Sequence, residues 1–427
     1  MSETPETTDF GEDPSRLGRR IGLFGAVIVA LGAMLGSGIY ASWGPAIAHA
    51  GRYFLWALGG AALIASLNAW STTALARLHP VAGGVYAYGS RWLGRPWGVA
   101  AGIAFVIGKT ASAAAAALTF GAFVHMGNVR VGAAIAIVVA LLIDLSGVQR
   151  TVKVLAVFVI VIIASLVPLL FNSEPRATAA LHGVSITIIY GKTAAYSSML
   201  IYRLSHPDVS VFTVLAAVAI FFVAFAGYAR ISTMGEEVRH PRRTIPRATV
   251  VGLATVTLLM FAVGTYVWDH SFEFLRPLAL QQTSQLLLFL AQADASSSAA
   301  VALRIGAGVA SVSVLLSLIV GLGRTVFAMS DGGDGWRPLA RVHTNGVPRR
   351  AELVAAAAVL FVTLFGTLTF AYLLSGASIL IYYGIAHLSA LKLGRAAGGP
   401  PRWVPLAGTV GVVIIVAGLA IAEFGAK

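Results

Sequence analysis

Charges punctuate this chain so that long, mostly apolar runs lie between them: Ile21 to Gly51, Tyr53 to Ala76, Thr110 to Val129, Val154 to Ser173, Val209 to Ala229, Ala248 to Trp268, Ile305 to Gly323 and Trp403 to Ala422. Each suits one helix across the ~30 Å hydrocarbon core of a bilayer, which takes about 20 apolar residues. Leu353 to Leu391 is uncharged as well, but at about 1.5 Å per residue a single helix would be roughly twice too long. It is expected to fold back near Thr367 to Tyr372 and form two spans. Val129 to Val148, ending near Asp144, supplies the fourth span, and the total is eleven. Continuous Ala, Leu, Val and Ile runs are not the alternating segments of a membrane β-barrel, so an all-α integral membrane protein is predicted.

Composition agrees and closes off other classes. Of 427 residues, 58% are apolar, 11% are charged and none is cysteine, whereas a soluble domain carries about 25% charged residues. Without cysteine there is no disulfide framework, thiolate metal site or cysteine nucleophile. The net charge of +13 invites a nucleic-acid reading until its placement is examined. With the amino terminus inside, 20 of the 30 Lys and Arg residues fall on the cytoplasmic side, eight fall outside, and two, Lys109 and Arg230, lie within spans. That is the positive-inside bias, so the charge orients the chain and implies no nucleic-acid partner. The same bias argues that Val184 to Leu204, apolar enough for a further span, is an extracellular loop with a surface helix; a crossing there would move Arg239 to Arg247 and Arg324 to Arg350 outside. The first twenty residues have no apolar core and read as a cytoplasmic tail, not a cleaved signal.

Two spans are interrupted. The first contains Gly32-Ala33-Met34-Leu35-Gly36-Ser37-Gly38-Ile39-Tyr40. Gly36 and Gly38 around a serine cost about 1 kcal/mol each relative to alanine in a helix and allow it to unwind. Unwound backbone at membrane depth is tolerated only beside a cavity or ligand. The alternative is a packing face, since Gly32 and Gly36 also make a GxxxG helix contact. The sixth span reads Phe221-Phe222-Val223-Ala224-Phe225-Ala226-Gly227-Tyr228-Ala229-Arg230, a second glycine interruption five helices on. Paired interruptions at corresponding positions point to an inverted-repeat transporter with a midplane site.

GSGIY in the first span, His79-Pro80-Val81-Ala82-Gly83-Gly84-Val85-Tyr86 after the second, FAGYARISTMGEEVRHPRRTIPRA around the sixth, Arg324 to Asp331 after the eighth and Leu380 to Tyr383 in the tenth resemble the amino acid-polyamine-organocation transporters. The resemblance covers most of residues 20 to 423. It implies a leucine-transporter-like fold of 5+5 inverted repeats and a permease moving amino acids or related amines across the plasma membrane by alternating access, proton-coupled or exchanging. The implied organisation is a tail at 1–20, a first repeat at 21–173, an extracellular loop at 174–208, a second repeat at 209–392, and a last helix with the carboxyl terminus at 393–427. It also implies that Gly36, Ser37 and Gly38 bind the substrate carboxylate through backbone amides and the serine hydroxyl. The substrate amine would meet carbonyls around Met34, Phe225 and Ala226, and Gly227 would permit the break. Phe222 and Tyr228 are gate candidates, with ordinary packing as the alternative for Phe222. The position matching the helix 5 lysine of proton-coupled members is about Ile162.

The two intramembrane cations carry the remaining chemistry. A charge at the bilayer centre costs at least about 2.5–3.5 kcal/mol, which makes Lys109 a functional candidate by default. A desolvated lysine can load and release a proton, so Lys109 is a coupling or substrate-contact candidate, against a structural lysine bonded to carbonyls. Arg230 is expected to snorkel toward the cytoplasmic face or pair with Glu236 or Glu237. Ser311, Ser313 and Ser317 read as packing hydroxyls, and no sodium or other metal site is assigned. A membrane enzyme is disfavoured, because the chain has no HExxH, GxSxG or P-loop, and no cofactor is expected. A substrate sensor that keeps the site without flux is the other alternative.

Overall fold

The computed structural model describes residues 19–36, 38–124, 128–171, 209–269, 286–287, 297–344, 346–366 and 368–424. Among these, all regular structure is helical apart from two isolated bridges, Ile21 with Val238 and Ala82 with Met234. Ser37, most of the tail at 1–20 and the loop reading for Val184 to Leu204 lie outside the described residues.

The first uncharged run forms three pieces, α1 (Leu23–Met34), α2 (Gly38–Ala41) and α3 (Trp43–Ala50). Then come α4 (Phe54–Leu78), α5 (Val85–Trp92), α6 (Arg95–Val124), α7 (Val129–Leu145) and α8 (Val148–Phe171). The second half runs through α9 (Val211–Phe225), a 3-10 turn at Ala226–Ala229, α10 (Arg230–Thr233), α11 (Pro241–Asp269), α12 (Ser297–Asp331), α13 (Arg349–Phe365), α14 (Leu368–Leu393) and α15 (Trp403–Phe424). Among the described residues, eight helical stretches are long and apolar enough to cross a membrane. The other three predicted spans are helices as well: α7 and α13 have 17 residues each, and the apolar part of α15 is Trp403–Gly418.

Local chemistry sets the boundaries. Ser210 and Thr213 form a reciprocal capping box at the start of α9, and Asn128 caps α7 by accepting from the Arg130 amide at 2.9 Å. The long run after Leu353 does fold back. Its helix stops at Phe365 and the chain turns through extended Gly366, at the early edge of the stretch expected to bend.

Since lipid is as apolar as leucine, helices in a bilayer associate by close packing and by polar ties. The central pair is α6 and α12: α12 packs on α6, α8, α7 and α13, while α6 also meets α14 and α5. Small residues let α6 come close, with Ala113, Ala114 and Ala117 fully buried. A Cβ on Gly121 would lie 2.1 Å from the Val129 carbonyl oxygen, so α7 starts directly against the α6 backbone. Polar ties cross the same bundle. The His387 ring on α14 is held by Asn68 at 2.5 Å and Ser71 at 3.0 Å, both on α4. The Tyr40 hydroxyl meets Ser165 at 2.6 Å and donates to the Ile162 carbonyl at 3.2 Å.

The α6–α7 contact is a direct test of this packing. Gly121→Ala should destabilise the protein by about 1–3 kcal/mol, the cost of overpacking. Gly384→Ala, where nothing stands within 4 Å of the added carbon, should be neutral or stabilise by up to about 1 kcal/mol through helix propensity. Thermal unfolding of the two variants in detergent reads the difference.

Candidate functional site

The two interruptions meet. α1 ends at Met34 and the chain bends through Leu35 and Gly36 before α2 begins at Gly38. α9 ends at Phe225 and continues as the 3-10 turn. A Cβ on Gly227 would lie 2.4 Å from both the carbonyl carbon and oxygen of Ala33 and 2.7 Å from the Met34 nitrogen. On the other side, a Cβ on Gly38 would lie 2.7 Å from the Ala224 Cβ, and one on Gly36 would lie 2.6 Å from the Val314 Cβ. Only glycine allows this backbone-on-backbone approach at Gly227. The packing reading of the first motif also holds, because a Cβ on Gly32 would sit 3.0 Å from Leu155.

Neighbouring helices satisfy part of the broken backbone. Ser313 on α12 donates its hydroxyl to the Gly32 carbonyl at 2.9 Å, and Tyr383 on α14 donates to the Ala226 carbonyl at 3.3 Å. Met34, Phe225, Ala226, Phe222 and Tyr228 are all buried. Among the described residues of the two breaks, Gly38 and Gly227 alone are partly exposed; Gly227 lies between buried Ala226 and Tyr228, and buried Ile39 follows Gly38. The partly exposed groups there are therefore glycine backbone, whose chemistry is amide and carbonyl.

An aromatic wall stands beside it. Phe222 and Tyr228 each lie 5.7 Å from Tyr383, measured between ring centroids, and Tyr382 continues the stack to Phe105 at 5.0 Å. Tyr383 links both gate candidates to the Ala226 carbonyl, a role that the sequence marked only as part of the Leu380 to Tyr383 motif. Ile162, where proton-coupled relatives have a lysine, is buried and lends its carbonyl to Tyr40.

Lys109 is buried at the middle of α6, and the Arg230 guanidinium is near enough to act on it electrostatically. Of the expectation that Arg230 snorkels or pairs with Glu236 or Glu237, the snorkelling and the Glu237 pair are overturned. Its side chain is buried, lies 5.9 Å over the Phe105 ring and fills the space a side chain at Gly321 on α12 would need. Glu237 instead accepts from Arg324 Nε at 2.8 Å. The reason is local: Gly321 leaves a slot that draws the guanidinium inward, and the Nε and Nη1 atoms of Arg230 have no hydrogen-bond partner there. No group of three or more His, Asp or Glu side chains suited to a metal occurs among the described residues.

Replacing Gly227 with alanine drives a methyl into the Ala33 backbone, which cannot rotate away. Gly227→Ala should therefore cost more than Tyr383→Phe, which removes one hydrogen bond for about 1 kcal/mol. Equal melting temperatures for wild type and Gly227→Ala would contradict the contact.

A family profile described as "Amino acid permease" matches residues 25–422. An uncharacterized transporter of Mycobacterium tuberculosis is 38% identical over 415 residues, covering 97% of this chain and 89% of that one. The branched-chain amino acid permease BcaP of Bacillus subtilis is 25% identical over 341 residues, covering 77% and 70%. Among solved structures, MhsT in complex with L-phenylalanine superposes with a TM-score of 0.61 at 15% identity, over 94% of this chain and 99% of that one. The fold is the leucine-transporter-like inverted repeat, and the protein is a transporter and not an enzyme. The chain belongs to the amino acid permease family.

Proposed function

We propose that this protein carries an uncharged amino acid across the plasma membrane by alternating access, with the substrate held between the bend at Leu35–Gly38 and the turn at Ala226–Ala229. The observation that carries the reading is the partial exposure of Gly38 and Gly227 where two broken helices meet, the other described residues of the breaks being buried. Amides at Gly36, Ser37 and Gly38 receive the carboxylate, favoured by the positive end of a half-helix. Carbonyls around Met34, Phe225 and Ala226 receive the amine. Phe222 and Tyr228 cover the substrate side chain. One helix bundle rocks against the other around this site, and the end bearing Arg239 to Arg247 faces the cytoplasm.

Two buried cations, Lys109 and Arg230, disfavour a cationic substrate by repulsion. A solved neighbour holds L-phenylalanine and a relative is a branched-chain amino acid permease, which supports a neutral amino acid. Lys109, desolvated at mid-span, is the coupling group: it takes up a proton in one state and gives it up in the other.

A thermal-shift screen of the purified protein against the twenty L-amino acids tests the substrate. A ligand that binds only the folded state stabilises it by about 2.7 kcal/mol at a hundred times its Kd, so at least one neutral amino acid should raise the melting temperature by several degrees. No shift with any of them would contradict the proposal. In proteoliposomes, Lys109→Met should reduce proton-driven uptake of that amino acid about tenfold, and unchanged, pH-dependent uptake would remove Lys109 from coupling.

A further inference from the structure

Away from the helix breaks, Arg324 on α12 is completely buried and is surrounded by three carboxylates from three other segments. Its Nε meets Glu237, after α10, at 2.8 Å; its Nη1 meets Glu352, in the first turn of α13, in a very short contact; and the same Nη1 lies 3.6 Å from Asp144, near the end of α7. Asp144, Glu237 and Glu352 are themselves fully buried. Asp144 and Glu352 thus converge on one nitrogen of Arg324, which makes their carboxyl groups close electrostatic neighbours. Two ionised carboxylates have four acceptor oxygens and no donor, so a bond between them requires a proton.

The charges give the same count. The groups acting on the Asp144–Glu352 pair are Arg324 from α12, Glu237 from the segment after α10 and Arg230 from α10; Arg349 and Arg350 precede Glu352 on α13 itself. Three carboxylates against the two guanidinium groups Arg230 and Arg324 leave one negative charge in a buried site. One proton brings the cluster to neutrality. A cavity of about 10 Å³, the size of a single water, is lined by Asp144, Thr151, Arg230, Ser317 and Arg324. Six polar atoms of four residues at it, each residue more than nine-tenths buried, have no hydrogen-bond partner: both Asp144 oxygens, Arg230 Nε and Nη1, Ser317 Oγ and Arg324 Nη2.

Glu237 connects this cluster to the closure of the same end of the bundle. Its carbonyl accepts from the Arg20 and Ile21 amides, each at 2.8 Å, and the Arg239 amide donates to the Ile21 carbonyl at 2.7 Å. Beside it, Glu236 accepts from the Ala82 amide at 3.1 Å. The segment from Met234 to Arg239 thus ties together the entry to α1, the loop after α4 and, through Glu237, the buried Arg324.

We propose that Asp144 and Glu352 form a proton-binding site whose single shared proton latches the cytoplasmic end of the transporter shut; this rests on the transport reading above for the direction in which the end opens. With the proton bound, the pair carries one negative charge and Arg324 is free to hold Glu237. When the proton leaves to water at that end, the pair becomes doubly negative and draws Arg324 away from Glu237. The segment from Met234 to Arg239 is then released from Ile21 and Ala82. Proton release and inward opening are one event, and rebinding a proton closes the latch.

Infrared difference spectroscopy of the purified full-length protein, in water and in deuterium oxide, tests the site with the proton itself as probe. At neutral pH the wild type should show a deuterium-sensitive C=O band of one protonated carboxyl per chain. In Glu352→Gln the amide supplies the donor and Asp144 is ionised, so the band should fall at least tenfold; Asp144→Asn should remove it equally. A wild type with no such band, or a band that survives in both variants, overturns the proposal, and the wild-type reading stands whether or not a variant folds. Because no substrate is used, a chain that proved to carry no amino acid would still show the band, whereas a working transporter without it would lose this site alone.

Discussion

The constraint on which the structure turns is that unwound backbone inside a bilayer must find partners within the protein. Here the two interrupted helices provide them for each other. Gly227 lies against the Ala33–Met34 peptide and Gly38 against Ala224, closer than any side chain would permit. The rest of the bundle is arranged around that contact: α12 contributes Ser313 to the Gly32 carbonyl, α14 contributes Tyr383 to the Ala226 carbonyl, and α8 seats Tyr40 two residues beyond Gly38. What is left partly exposed at the junction is glycine backbone, which suits a ligand bearing both a carboxylate and an amine.

Much of the architecture is legible in the sequence because membrane physics constrains it tightly. Uncharged runs of helical length mark where helices lie, and the fold-back after Leu353 follows from length alone. The glycines of GSGIY and FAGY mark the breaks. Contacts between distant segments are less legible. Asp144, Glu237, Arg324 and Glu352 each stand near a span end, where a charge reads as an ordinary topology anchor, and no spacing along the chain tells that they converge. Arg230 was misread for a related reason: the slot that receives it belongs to Gly321, on another helix. Tyr383 was visible as part of a motif, but its hold on the Ala226 carbonyl depends on how α14 packs.

The buried ion cluster is hard to explain as a device for stability. Taking charges out of water costs several kcal/mol per ion, and replacing such a group with apolar residues is often neutral or stabilising. An arginine surrounded by three acids, next to a second arginine whose Nε and Nη1 atoms lack hydrogen bonds, is better understood as a group with two arrangements than as a fixed clamp. Arg230 acts on both Lys109 and Asp144, so the mid-span lysine and the carboxylate cluster share an electrostatic neighbour.

The central claim is that an amino acid sits where the two breaks meet, and the most direct measurement is an experimental structure with a stabilising amino acid bound. The account predicts ligand density between residues 35–38 and 226–229, with the carboxylate toward the amides of Gly36 to Gly38 and the side chain toward Phe222 and Tyr228. Density found instead in the groove of about 740 Å³ lined by Trp70, Arg77 and Leu258, between α4 and α11, with the junction filled only by protein, would contradict it.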